Sequence, residues 1–253
     1  MTALLRVENL SKSFGGLQVS RNISFSLRQR DRVALIGPNG AGKTTLINLI
    51  SGVLAPSAGR IFLRDKEITR LGIVRRARLG LVRSFQISRL FSHQTVFENI
   101  ALPILQRTGR TNRMFGSAAP AMVADEVNEI AGRLELRDIL HRQVSGIAYG
   151  EQRLAELAMA LAMRPDVLLL DEPAAGAGRR ETDRIVRAIE QLPADTAILL
   201  IDHDMDLVFR FASRVMVMAG GAIIFEGTAA GAKNDEEVRK AYLGRLANDG
   251  AIA

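Results

Sequence analysis

The chain has 253 residues, 47% of them hydrophobic and 24% charged, with a net charge of +7. That balance suits one α/β domain, or one with a smaller lobe, and excludes a fibrous or disordered chain. The absence of cysteine excludes disulfides and thiolate metal sites, and the longest apolar runs are far below the roughly 20 residues that span a bilayer. With no signal-peptide layout at its start, the chain is expected to be soluble.

In chain order, residues 4–10 alternate as a strand, and 17–27 read as a second with Ile23, Phe25 and Leu27 on one face. Gly15 and Gly16 turn between them, which predicts an antiparallel pair. Residues 33–36 form a buried strand, and Gly37-Pro38-Asn39-Gly40-Ala41-Gly42-Lys43-Thr44-Thr45 follows at once, before a helical run at 46–50. A Gly-rich turn between strand and helix points successive backbone N–H groups into one concavity, where the helix N-terminus adds partial positive charge. Gly40 and Gly42 supply backbone angles closed to other residues. Lys43 would reach the β- and γ-phosphates and the Thr44 hydroxyl would ligate Mg²⁺, so the ligand expected is a nucleoside triphosphate.

Short strands follow at 61–63 and 80–85. Residues 95–106 read as a helix with Thr95 as cap and Glu98 three positions on. Residues 107–120 lack periodicity and read as a mobile loop, and helices fill 121–134 and 151–163. From Pro165 strands at 167–170, 196–201 and 215–218 alternate with helices at 180–191 and 205–211, the rhythm of a parallel sheet with crossover helices. Gly220 and Gly221 turn into a hairpin strand at 222–225, and the charged tail forms a surface helix. Two arginine groups carry the positive charge: Arg75, Arg76, Arg78, Arg83 and Arg89, then Arg107, Arg110 and Arg113. These read as solvated basic faces, or as a surface for phosphate or anionic headgroups. Two tyrosines and no tryptophan leave no stacking platform for nucleic acid.

Residues 167–170 end in Asp171 and Glu172, two carboxylates at the carboxyl edge of a sheet. Asp171 is placed for Mg²⁺, and Glu172 can take a proton from a water aimed at the γ-phosphate. Asp202-His203-Asp204 follows the next buried run, so His203 leaves the same edge and could bind the γ-phosphate or orient that water. Ala148-Tyr149-Gly150-Glu151-Gln152 opens a helix with Leu154, Leu157, Ala158 and Leu161 on its buried stripe. Its N-terminus is a second anion-ready end. Since one nucleotide needs one cradle, this second one suggests that two copies complete each other's nucleotide.

The phosphate loop, Gln86, the 149–152 turn, Asp171-Glu172 and His203 resemble, in that order, the motifs of an ABC transporter ATPase subunit: Walker A, Q-loop, signature, Walker B and switch histidine. The resemblance runs from residue 4 to 227. It looks nearest to the ATPases of branched-chain amino acid importers, through residues 11–17, the Tyr-Gly signature, residues 171–176 and the closing Ala241-Tyr242-Leu243-Gly244. It implies an α/β P-loop NTPase with a mixed central sheet, an N-terminal antiparallel β subdomain, and a helical subdomain at about 87–163 carrying the signature, inserted in one RecA-like core. It also implies ATP and Mg²⁺ as cofactors, with Thr44, Gln86 and Asp171 at the metal. Phe14 would stack on adenine with Val19 beside it, Gln86 would couple the site to membrane subunits, and residues 148–152 would close over a partner's ATP.

The implied partners are permease subunits, a second ATPase subunit (identical or paralogous) and, indirectly, a solute-binding protein, with the chain on the cytoplasmic face of the membrane and no nucleic acid bound. Two departures stand out: Ala148 replaces the usual serine, and residues 174–178 lack the usual aspartate of the dimer-contacting loop. Both fall where subunits meet, which suggests pairing with a different ATPase. The competing readings are a soluble ABC ATPase acting on nucleic acid or ribosomes, supported only by the basic surface, and a P-loop kinase, which leaves the signature and His203 unexplained.

Overall fold

The computed structural model describes residues 3–84, 90–109, 121–202 and 204–249. Gln86 and His203 therefore lie outside the described residues, as do Arg89, Arg110, Arg113 and most of the loop expected at 107–120. The chain divides into two compact units: residues 1–81, 166–171 and 194–253, and residues 82–165 with 172–193.

The first unit opens with the expected antiparallel pair, β1 (Ala3–Phe14) and β2 (Leu17–Arg28), turning at Gly15 with φ 56. β1 outruns its sequence reading because the strand continues through a register shift around Asn9, where φ is 48, and Ser11 Oγ accepts the Asn22 N–H at 2.9 Å. With β4 (Ala58–Leu63) and β5 (Lys66–Glu67) they form a four-stranded sheet ordered β2-β1-β4-β5.

The second sheet carries the apolar runs. β3 (Arg32–Ile36), β7 (Val167–Asp171) and β8 (Ala197–Ile201) lie with β9 (Arg214–Ala219) and β10 (Ala222–Gly227) in the order β10-β9-β3-β8-β7, continuing to β6 (Leu81–Ser84), where the chain passes into the second unit. β9, β3, β8 and β7 are parallel and β10 returns antiparallel, so the sheet is mixed, as expected for this α/β fold. Continuous burial of β3 and β8 explains why their sequences run apolar rather than alternating. α1 (Lys43–Ser51) packs into the same core through Leu46, Ile47, Leu49 and Ile50, each stabilising by about 2 kcal/mol on burial. α7 (Met205–Phe211), α8 (Ala229–Asn234) and α9 (Glu236–Asp249) complete the unit; the single tail helix of the sequence reading is two helices, split at Asp235.

α2 (Ile73–Arg78) is absent from the sequence reading, being six residues in an arginine-rich stretch without an apolar stripe. There Arg76 corrects the reading of a solvated basic face: it is 1% exposed.

The second unit holds α3 (Val96–Arg107), α4 (Ala121–Arg133), α5 (Tyr149–Ala162) and α6 (Arg179–Glu190). α3 starts where expected, through a reciprocal cap: the Glu98 N–H donates to Thr95 Oγ1 at 3.2 Å, and the Thr95 N–H donates to Glu98 Oε2 at 2.7 Å. Thr95→Ala removes one arm of that cap and should cost about 1 kcal/mol, lowering the thermal midpoint by roughly 2–4 °C in a melting experiment.

Candidate functional site

The parallel register sets the level of the site. Leu35 pairs with Ile201, and Ile201 with Asp171, so β3, β8 and β7 reach the same height at their carboxyl ends. The phosphate loop, Glu172 and Asp202 each follow directly from that edge, as the sequence predicts.

The loop itself is a chain of conformations that glycine permits. Gly37, Gly40 and Gly42 have φ of 153, 77 and 100. Gly37 is constrained twice, because a Cβ there would lie 2.1 Å from the Met218 carbonyl oxygen. A Cβ on Gly42 would lie 2.8 Å from the Val19 carbonyl oxygen, so Val19 borders the loop by its backbone. The Ala41 N–H donates to Pro38 O at 3.1 Å, and Ala41 O accepts the Gly221 N–H at 3.1 Å. Lys43 begins α1, and its ammonium donates to Gly37 O at 2.6 Å and Pro38 O at 3.1 Å, which holds the charge over the loop. Thr44 and Thr45 occupy the first turn of the helix, whose N-cap Gly42 brings no side chain into the concavity. Asn39 lies in the turn between Pro38 and Gly40.

Asp171 is 6% exposed and ends β7; Glu172 follows with φ 46, a left-handed backbone uncommon outside glycine. Asp202 is 4% exposed, and its Oδ1 accepts the Asp204 N–H at 3.0 Å. Phe14 is no core residue: it is 49% exposed at the end of β1, with the Lys12 ammonium 5.1 Å from its ring centre.

In the second unit the 148–152 segment opens α5 two residues earlier than the sequence suggested, because Glu151 Oε2 accepts the Ala148 N–H at 2.9 Å and closes the first turn. The Tyr149 hydroxyl donates to Ala175 O at 3.1 Å and accepts from Arg153 Nη2 at 2.5 Å, while Arg153 Nη1 donates to Glu156 Oε2 at 2.9 Å. Gly150 is buried, and a Cβ there would meet the Glu181 side chain at 2.7 Å. Gln152 turns inward, its Nε2 donating to Ile147 O at 3.3 Å. The same unit contains a mainly apolar cavity of about 430 Å³, walled by Val82, Phe91, Leu102, Pro103, Met159 and Met163.

Sequence reasoning missed the supports of the phosphate loop. Met218 and Gly221 touch it from the β9–β10 hairpin, and Gly37 makes a backbone hydrogen bond to the Tyr242 phenol of α9, whose pKa burial raises and that bond lowers. The double glycine at 220–221 was the one visible signal, and it reads as a hairpin turn alone.

Among the described residues, no cluster of three or more histidine, cysteine or acidic side chains could hold a metal. The Thr44 hydroxyl in the first turn of α1 and the Asp171 carboxylate at the end of β7 are hard oxygens. They suit Mg²⁺, which keeps most of its shell for water and phosphate.

Comparison with known proteins agrees with this geometry. The profile of the ABC transporter family matches residues 20–175, and that of the branched-chain amino acid ATP-binding cassette transporter matches residues 222–247. The high-affinity branched-chain amino acid transport ATP-binding protein LivG of Salmonella typhimurium is 40% identical over 249 residues, covering 95% of this chain and 98% of its own. BraF of Pseudomonas aeruginosa, named for the same transport, is 37% identical at the same coverage. The ADP conformation of MJ1267, an ATP-binding cassette of an ABC transporter, superposes with a TM-score of 0.82 at 29% identity, over 96% of this chain and all of that one.

Gly37→Ala should displace the Met218 strand or the loop, weakening binding of a fluorescent ATP analogue at least about tenfold relative to wild type, read by titration alongside a thermal melt.

Proposed function

Since the chain belongs to the ABC transporter ATP-binding family, an ATPase whose hydrolysis is coupled to transport, we propose that it drives a membrane importer for branched-chain amino acids or related small polar solutes such as amides or urea. The observation that carries this reading is the common level of Asp171 and of Leu35, which leads into the phosphate loop, at one sheet edge, joined to a C-terminal segment that matches the branched-chain transporter profile.

ATP would lie with its phosphates on the N–H groups of residues 39–45 and the N-terminus of α1, and its adenine on the exposed Phe14 beside Val19. Lys43 would exchange its hold on the Gly37 and Pro38 carbonyls for phosphate oxygens. Thr44, Asp171 and Gln86 would hold Mg²⁺, which supplies charge neutralisation on the phosphates when bound. Glu172 would accept the proton of the attacking water, and His203 would orient the γ-phosphate end.

Ala148, Tyr149, Gly150, Glu151 and Gln152 would close over the ATP of a second ATPase subunit. Ala148 and the missing aspartate at 174–178 favour a paralogous partner over an identical one. No helix among the described residues is long and apolar enough to cross a membrane, so permease subunits must supply the path and this chain would sit against their cytoplasmic face. The apolar cavity that begins at Val82–Ser84 suits an apolar segment of such a subunit, and Gln86 follows in the same stretch of chain. The solute would be selected by a separate binding protein. The buried Arg76 leaves nucleic acid one surface cation fewer than the sequence offers.

Two measurements test this. Glu172→Gln should retain ATP affinity within about twofold while hydrolysis falls by roughly 10²–10⁴; wild-type turnover in that variant would remove Glu172 from the base role. With ATP, the same variant should elute alone as a monomer and dimerise only when mixed with a paralogous ATPase; a stable homodimer would defeat the asymmetric pairing.

A further inference from the structure

The phosphate loop ends in the N-terminus of α1, and that short helix has another end. α1 is nine residues long, about 13 Å of rise, so whatever fixes its C-terminus also fixes where Lys43 and Thr44 stand. The helix has no basic residue in its own last turn; the Gly52 N–H donates to Leu49 O at 3.3 Å and the Val53 and Leu54 N–H groups to Asn48 O, and the last carbonyls take further partners from elsewhere.

Arg76 supplies them. Its Nη1 donates to Leu49 O at 2.7 Å and to Ile50 O at 2.6 Å, both in the final turn of α1. Its Nε donates to Leu71 O at 2.7 Å and its Nη2 to Thr69 O at 2.8 Å, both on the segment between β5 and α2. One guanidinium therefore fastens the helix end to a separate stretch of backbone. Gly52 closes the helix with φ 83, and a Cβ there would come within 2.8 Å of Leu71 O and 2.9 Å of Arg76 Nε. The cap is shaped around the guanidinium. Burial lowers Arg76 to about 10, which still leaves it cationic at neutral pH, at the negative end of the helix dipole. A brace for packing alone needs no charge, and an apolar side chain would spare the desolvation. The arginine instead fits four carbonyls that point at one place.

We propose that Arg76 is a positioning residue for the ATPase: by tying the C-terminal carbonyls of α1 to the 69–71 backbone, it sets the position of the phosphate-binding end and so the affinity for the triphosphate. This rests on the phosphate-loop reading above. Arg76 touches neither nucleotide nor metal in that reading and acts only through the helix.

The test compares Arg76→Lys, Gly52→Ala and Lys43→Ala with wild type, by titration with fluorescent ATP and AMP analogues, steady-state ATPase and thermal melting. A lysine ammonium has three donors and no planar fork, so it cannot meet all four carbonyls at once. Arg76→Lys should keep the fold and raise the ATP Kd about three- to tenfold, with a smaller change for AMP, and should raise KM more than it lowers kcat. Gly52→Ala, which presses on the guanidinium from the helix side, should shift the ATP Kd the same way. In the wild-type protein, ATP should slow amide hydrogen exchange in residues 69–76 as well as in 37–46, which needs no variant to fold. Unchanged ATP affinity in folded Arg76→Lys or Gly52→Ala, or exchange at 69–76 indifferent to ATP, would reduce Arg76 to a packing brace and overturn the proposal. Wild-type ATP affinity in Lys43→Ala would instead overturn the loop reading, and the proposal with it.

Discussion

The site depends on the in-register parallel pairing of β3, β8 and β7. Three strands buried on both faces can slide only by moving every apolar side chain out of place, so the register is strongly held. Because Leu35, Ile201 and Asp171 stand level, the residues that follow each strand must emerge at one edge. The phosphate loop and Asp171, more than a hundred residues apart in the chain, are thereby brought to one end of the same sheet. No side chain at that edge has to choose its neighbours.

The cradle also shows how a loop without side chains is kept in shape. Its glycines remove the steric limits that normally fix a backbone, so other parts of the molecule must supply them. Met218 limits Gly37, Val19 limits Gly42, and Gly221 bonds to Ala41. At the far end of α1, Arg76 and Gly52 hold the helix that the loop runs into. The loop is thus clamped from the β9–β10 hairpin on one side and through its own helix on the other. A flexible sequence becomes a defined anion site because its surroundings carry the rigidity.

Much of this was legible before the structure. The apolar runs at 33–36, 167–170 and 196–201 identified the central strands, and Thr95 with Glu98 marked the start of α3. The phosphate loop and the two carboxylates at 171–172 could be placed on one edge from strand–loop order alone. What stayed hidden depends on long-range contact. α2 is too short to show periodicity, and nothing local distinguishes Arg76 from Arg75 or Arg78, since only the arrival of four carbonyls makes one of them a core residue. The roles of Met218 and Tyr242 at the loop have the same cause: they are close in space and about 180 and 205 residues away in sequence.

The departure at Ala148 can also be weighed physically. A serine there would add a hydroxyl, but the turn does not lean on one. The Ala148 N–H is held by Glu151, the Tyr149 hydroxyl by Ala175 and Arg153, and Gly150 is fixed by Glu181 packed where its Cβ would be. The shape of the α5 N-terminus is therefore set by residues 149, 150, 151 and 153 and by α6, and it survives the loss of the hydroxyl. In the pairing proposed above, the loss would be one hydrogen bond toward a neighbouring nucleotide, about 1 kcal/mol or roughly a fivefold weaker grip. A paralogous partner whose own signature kept its serine would grip the ATP held by this chain at full strength, while this chain gripped the partner's ATP less tightly. Unequal sites of that kind release nucleotide in a preferred order, which two identical chains cannot arrange by sequence alone.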